Sequence, residues 1–131
     1  MDFGITGKVA LVVGGSKGIG FETAKMLAAE GCRVAVVART QKQIDRAVEA
    51  IRQDGGDAVG ISADMTQQDQ IERALAETVE IYGPPLIAIT QADFHVRGFF
   101  EEITEYEDFV DSYRTYTMSQ VYMLHAVLPA M

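Results

Sequence analysis

The run Val9-Ala10-Leu11-Val12-Val13 passes directly into Gly14-Gly15-Ser16-Lys17-Gly18-Ile19-Gly20, and nothing else in the chain constrains its fold as much. A continuous apolar run reads as a strand buried on both faces of a parallel sheet. Beyond Gly20, Ala24, Leu27 and Ala28 recur at helical spacing, and Gly31 offers a stop. Gly14, Gly18 and Gly20 therefore sit where a strand hands over to a helix. Such a turn is sharp, and the missing Cβ atoms let a diphosphate approach the backbone. The helix that starts there aims unpaired N–H groups and its positive dipole end at the anion. Ser16 adds a hydroxyl donor. The spacing is G-x-x-x-G-x-G rather than G-x-G-x-x-G, and the Lys-Ser/Thr ending of a triphosphate loop is missing. A glycine-rich turn without a ligand is the alternative, but the flanking strand and helix favour a dinucleotide site.

The same alternation continues along the chain. Val34-Ala35-Val36-Val37 predicts a second strand, and Ile44, Ala47, Val48 and Ile51 predict the core stripe of a second helix. Thr40 is a candidate cap for that helix, and Gly55-Gly56 a break after it. Ala58-Val59-Gly60-Ile61 predicts a third strand leading to Asp64. Thr66 with Asp69 resembles a capping box ahead of a third helix, whose buried face takes Ile71, Ala74, Leu75, Val79 and Tyr82. Gly83-Pro84-Pro85 ends it, and Leu86-Ile87-Ala88-Ile89 predicts a fourth strand. A loop over residues 90–98 follows, then a capping box, Thr104 with Glu107, and an apolar helical segment around Val121, Leu124 and Leu128. Strands alternating with amphipathic helices imply parallel strands joined by crossovers, a doubly wound α/β unit.

Arg39 ends the second strand, 19 residues past Gly20, and no Asp or Glu occurs between Val34 and Gln43. An acidic residue at this place binds the ribose 2′-OH of NAD, whereas an arginine accommodates the 2′-phosphate of NADP. Lys17, inside the glycine turn, is expected near the same phosphate. Each cation alone could be an ordinary solvated residue; together they favour NADP(H).

A net charge of −8 argues against a nucleic-acid partner, because phosphate backbones need a surplus of Lys and Arg. An acidic protein can still hold a phosphate where its few cations are well placed. No apolar run approaches the roughly 18 residues of a membrane helix, and Met1-Asp2-Phe3-Gly4 lacks the basic flank of a secretory signal. Cys32 is the lone cysteine and reads as a buried, inert thiol rather than a reactive one. The expectation is a cytoplasmic protein. His95 and His125 show no metal-ligand pattern.

With strand, glycine turn, Arg39 and Asp64 in this order, the chain resembles the short-chain dehydrogenase/reductase family, and within it the bacterial 3-oxoacyl-carrier-protein reductase type. The resemblance runs from Gly7-Lys8-Val9-Ala10-Leu11-Val12 to Ala126-Val127-Leu128-Pro129-Ala130-Met131. It implies a Rossmann-like doubly wound parallel sheet over residues 1–131, the N-terminal, cofactor-binding half of the family fold. It implies NADP(H) held by Gly14, Ser16, Lys17, Gly18, Ile19, Gly20 and Arg39. Asp64 then hydrogen-bonds the adenine amino group with the backbone of Met65 alongside, and Thr90 and Gln91 contribute polar groups after the fourth strand. The implied substrate is a small-molecule ketone or alcohol, with a 3-oxoacyl thioester as the type's example.

Three departures from the family pattern stand out. Val13-Gly14 replaces Thr-Gly, which removes a hydroxyl. Thr90-Gln91-Ala92-Asp93 stands where the family carries Asn-Asn-Ala-Gly, so Asp93 sets a carboxylate where close backbone approach is usual. Counting back 15 residues from Met131, the family's active-site Asn falls on Tyr116, which is either a substitute for it or a packed helix aromatic. The family's Ser, Tyr and Lys belong to segments that follow Met131, and no position here corresponds to them. The sequence also stops inside an apolar helix, which predicts a portion of a longer reductase, inactive by itself. Family members commonly form tetramers through the helices corresponding to residues 104–131. Phe109, Tyr113, Tyr116, Met118, Tyr122 and Met123 suit a homo-oligomer interface, dimer or tetramer, and equally plain core packing. Two rivals remain: an NADP(H)-binding sensor or regulatory subunit without catalysis, and a structural half completed by another chain.

Overall fold

The computed structural model describes residues 2–92 and 106–131. In chain order the elements are β1 (Val9–Val13), α1 (Gly18–Ala29), β2 (Arg33–Ala38), α2 (Gln41–Gln53), β3 (Asp57–Ser62), α3 (Gln68–Tyr82) and β4 (Ile87–Thr90). After the segment 93–105 come α4 (Tyr106–Tyr113), a π-helical turn (Arg114–Met118) and α5 (Ser119–Val127). All strand pairs are parallel, and the sheet order is β3-β2-β1-β4. The chain thus builds outward from β1 to β3, then returns to the other side of β1. That reversal is a topological switch point, where ligands bind beyond the strand C-termini in open α/β sheets.

The sheet is covered on both faces, which is why β1 and β2 read as unbroken apolar runs rather than alternating ones. Ala10, Val12, Val34 and Val36 pack with Ala24, Ala28, Ile44, Ala47, Val48 and Ile51 of α1 and α2. Leu11, Val13, Ala35 and Val37 pack with Ile71, Ala74 and Leu75 of α3 and Met123 and Val127 of α5. Every residue of β1 is buried, whereas all four of β4 are only half-buried. Among the described residues β4 pairs with β1 alone and forms one edge of the sheet.

Several local expectations change. On α3 the buried stripe is Ile71, Ala74, Leu75 and Thr78, while Val79 is exposed and Tyr82 half-buried. Thr78 can be buried because its hydroxyl donates to the Ala74 carbonyl one turn back (2.8 Å) and needs no water. Tyr82 sits at the sheet's lower rim, where its hydroxyl donates to Asp57 (2.5 Å) and Arg33 lies over its ring (5.6 Å). The last helix buries Ser119, Met123 and Val127, with Leu124 and Leu128 exposed and Val121 half-buried. Thr40 does stand at the N-cap of α2 but makes no side-chain cap bond. The Thr66–Asp69 box does not form either: α3 is capped at Gln67, and the Thr66 hydroxyl donates to Asp64 instead (2.8 Å). Thr104 lies outside the described residues. Cys32 is buried, its thiol donating to the Ile5 carbonyl (3.4 Å), and burial pushes its pKa up, away from the thiolate.

Candidate dinucleotide site

In-register pairing of Val13 with Val37 and with Thr90 brings the C-terminal ends of β1, β2 and β4 level. Beyond them opens a cleft of about 560 Å³. Its wall takes Gly14, Ser16, Lys17, Gly18 and Ile19 from the glycine turn, Arg39, Thr40 and Gln43 after β2, Asp64, Met65 and Thr66 after β3, and Gln91 after β4. Gly14 and Gln91, 77 positions apart in sequence, therefore meet because the strands end side by side.

The glycines divide by role. Gly14 has φ +81°, and a Cβ placed there meets the Gln91 carbonyl oxygen at 1.9 Å. A Cβ on Gly20 meets the Gly14 carbonyl oxygen at 2.2 Å and the Gln91 Cβ at 3.3 Å. These two are glycine because the protein's own backbone needs the space; the left-handed Gly14 makes the sharp turn, as expected, and lines the cleft. Gly20 is buried beneath the turn and does not line the cleft. Gly18 (φ +54°) has open space where its Cβ would be, so close approach from outside is possible there.

Helix α1 begins without a side-chain cap, Lys17 holding an extended backbone at its N-cap. The first helical donor with a backbone acceptor is Phe21, on the Lys17 carbonyl (3.2 Å). Among the described residues the amides of Gly18, Ile19 and Gly20 ahead of it have no acceptor, and such first-turn donors attract anions. Among the described residues lining the cleft, Lys17 and Arg39 carry positive charge and Asp64 negative charge. The chain as a whole is at −8, so this is a locally cationic spot on an acidic protein. Arg39 is exposed, and its backbone carbonyl accepts from Ser62 (3.3 Å), tying the end of β2 to β3.

After β3 the Asp64 carboxylate accepts the Thr66 amide (2.9 Å) and the Thr66 hydroxyl through Oδ1. On the β4 side, the Gln91 amide donates to the Val13 carbonyl (2.8 Å) and its side chain donates to Ala92 (3.3 Å). Thr90 lies within β4, half-buried, and is not on the cleft wall. Asp93 and His95 fall outside the described residues.

Tyr116 does not reach the cleft. It is 43% exposed, and the neighbouring Thr115 lines the wall in its place. The cause is the π turn. The Ser119 amide donates to Arg114, five residues back, and the buried Ser119 hydroxyl donates to the Thr115 carbonyl. An i→i+5 turn holds an extra residue and shifts which side chain faces inward. No motif or period in the sequence marks Thr115; only its place on the cleft wall identifies it. Of the candidate interface residues, Phe109, Tyr113 and Tyr116 are exposed, Met118 and Tyr122 half-buried, and Met123 belongs to the core.

A doubly wound parallel sheet with a glycine turn and a cationic cleft at its switch point defines a dinucleotide-binding type of α/β protein. The comparisons make this more specific: the short chain dehydrogenase family model matches residues 8–131, and the chain belongs to that family of nicotinamide-dependent oxidoreductases. It is 36% identical over 120 residues to hydroxynaphthalene reductase of Aspergillus fumigatus, covering 91% of this chain and 44% of the relative. A dehydrogenase/reductase structure from Sinorhizobium meliloti superposes with TM-score 0.89 at 34% identity, over 96% of this chain and 50% of the other. A variant of actinorhodin polyketide ketoreductase, solved with NADPH, superposes with TM-score 0.88 at 31% identity, over 99% and 49%. The chain thus spans about half the length of the proteins it matches.

Proposed function

We propose that this chain is the cofactor-binding portion of an NADP(H)-dependent oxidoreductase that interconverts a small-molecule ketone and an alcohol. The observation that carries the reading is the meeting of Lys17 and Arg39 with the glycine turn on one cleft. A 2′-phosphate is recognised by Arg39 through charge-assisted hydrogen bonds, with Lys17 adding charge from the turn. The first-turn amides around Gly18 and Ile19, with Ser16, hold the diphosphate. Asp64 and the Met65 backbone bind the adenine edge. Gln91, and Thr90 behind it, shape the β4 end, where Thr115 supplies a hydroxyl-bearing wall.

When bound, NADPH supplies the hydride that a carbonyl carbon accepts. The residues of this chain bind and orient. The proton donor and its partners are expected from the segments that follow in relatives of twice this length. A 3-oxoacyl thioester is a fitting substrate, since a ketoacyl reductase of Nostoc and the polyketide ketoreductase are among the similar proteins. A cytoplasmic setting fits; among the described residues no helix is long and apolar enough to cross a membrane. The exposed Tyr106, Phe109, Val110 and Tyr113 of α4 suit a homo-oligomer interface, dimer or tetramer. Sedimentation tests that directly, and a monomer at all concentrations rejects it.

A titration with NADPH and NADH of the chain and of Arg39→Ala tests the cofactor reading. The chain binds NADPH more tightly by about tenfold or more, and the substitution removes most of that margin, because hydrogen bonds to charged groups contribute about 1.5–3 kcal/mol. Equal affinities in the unsubstituted chain reject it. The second reading is an NADP(H) sensor without catalysis, favoured by the outward placement of Tyr116. Retained NADPH binding with no carbonyl reduction by the full-length protein selects it.

A further inference from the structure

The loop between β3 and α3 is tied down from an unexpected direction. Helix α3 is capped at Gln67, so Gln70 is its third helical residue, the place from which a Gln normally reaches back to the N-cap amide. Here it reaches further: the Gln70 side-chain carbonyl accepts the backbone N–H of Asp64 (2.8 Å). Three further backbone donors of the loop are also engaged inside the protein. Ala63 donates to the Ala38 carbonyl (2.8 Å), Thr66 to Asp64 Oδ1 (2.9 Å) and Gln67 to the Asp64 carbonyl (3.1 Å). Among the described residues the Met65 N–H has no such partner, and neither has the second carboxylate oxygen of Asp64. Both Asp64 and Met65 line the cleft, whereas Gln70 does not.

We propose that Gln70 is a positioning residue for purine selectivity, holding Asp64 so that this loop offers the cleft one acceptor and one donor side by side. The inference rests on the dinucleotide reading of the cleft. Adenine presents the complement of that pair, an amino donor at C6 beside an acceptor at N1. Hypoxanthine presents the reverse, a carbonyl acceptor at C6 beside an N1–H donor. A loop fixed in this arrangement rejects the second base, because both of its polar groups are then left facing like groups. A loop free to turn its peptide accommodates either.

The test compares NADPH with its hypoxanthine analogue, by affinity, on the chain, Gln70→Ala and Gln70→Glu. Wild type is expected to favour NADPH by at least about tenfold, the equivalent of one or two hydrogen bonds. Gln70→Ala narrows the ratio to about twofold, and Gln70→Glu, which keeps an oxygen acceptor at the same reach, restores it. A purely helix-capping role lowers the melting temperature of Gln70→Ala and leaves the ratio unmoved, and that result overturns the proposal. Failure of the wild type to bind either dinucleotide overturns the cofactor reading and the positioning role with it. A wild type that discriminates equally well after Gln70→Ala overturns the positioning role alone.

Discussion

The two ends of the cleft are built on different principles. At the β1–β2 end every residue of β1 is buried, and the glycine turn leaves no room for a Cβ at Gly14, against the Gln91 carbonyl, or at Gly20, against the Gly14 carbonyl. At the β4 end the strand is half-buried throughout, and the wall is completed by Thr115 from a π turn. The first end has one way to pack, whereas the second carries local irregularity of the kind that accompanies functional adjustment in helices. The glycine turn and Arg39 lie at the first end; of the departures among the described residues, Val13 sits beside that turn and Tyr116 belongs to the π turn at the other.

The largest effect that can break this contrast is Gly14→Ala. A methyl group cannot share space with the Gln91 carbonyl, and φ +81° is itself unfavourable, so the joint between the turn and β4 must open. The expected cost is about 3 kcal/mol or more in urea unfolding, with loss of NADPH binding. Gly18→Ala meets no atom and is expected to cost about 1 kcal/mol of backbone strain, while still weakening NADPH because the methyl enters the cleft. Equal destabilisation by the two substitutions contradicts the division of glycine roles.

At the other end, Thr115→Val is expected to weaken NADPH severalfold, roughly the value of one neutral hydrogen bond. Tyr116→Phe leaves binding unchanged. The opposite ranking restores Tyr116 to the site and removes the π turn from the explanation.

A smaller effect lies away from the cleft. Burial, followed by the hydrogen bond and charge of Asp57, raises the Tyr82 phenol well above its ordinary value. A raised folded-state pKa stabilises fully below the unfolded value near 10 and is lost as pH rises beyond it. Tyr82→Phe is thus expected to cost about 1 kcal/mol at neutral pH and to flatten the decline in stability above about pH 10. An unchanged alkaline slope contradicts this.

Much of the rigid end was legible because the sequence pattern and the packing share one cause. Ala10 to Val13 and Val34 to Val37 are apolar without a break since both faces of the sheet are covered, and Ile44, Ala47, Val48 and Ile51 keep a strict helical period. Legibility failed where one polar side chain chose between acceptors. Thr66 bonds Asp64 rather than capping α3, and Thr78 replaces Val79 in the core by satisfying its own hydroxyl. Those choices depend on backbone geometry that composition does not encode. Tyr116, read as either a substitute for the family Asn or a packed helix aromatic, lies in a π turn and is exposed, a placement that no periodic pattern encodes. The roles of the glycines were half legible: the motif marked the turn, but only the placement of the Gln91 carbonyl against Gly14, and of the Gly14 carbonyl against Gly20, explains why neither tolerates a Cβ.

The central claim is that the cleft beyond β1, β2 and β4 holds a 2′-phosphorylated dinucleotide, and amide NMR during NADPH titration tests it most directly. Saturable shifts are expected, concentrated at Gly18, Ile19, Met65 and the Arg39 side chain, while residues of α2 away from the cleft, such as Glu49 and Gln53, stay unmoved. Shifts absent at the turn, or concentrated at Glu49 and Gln53, contradict it.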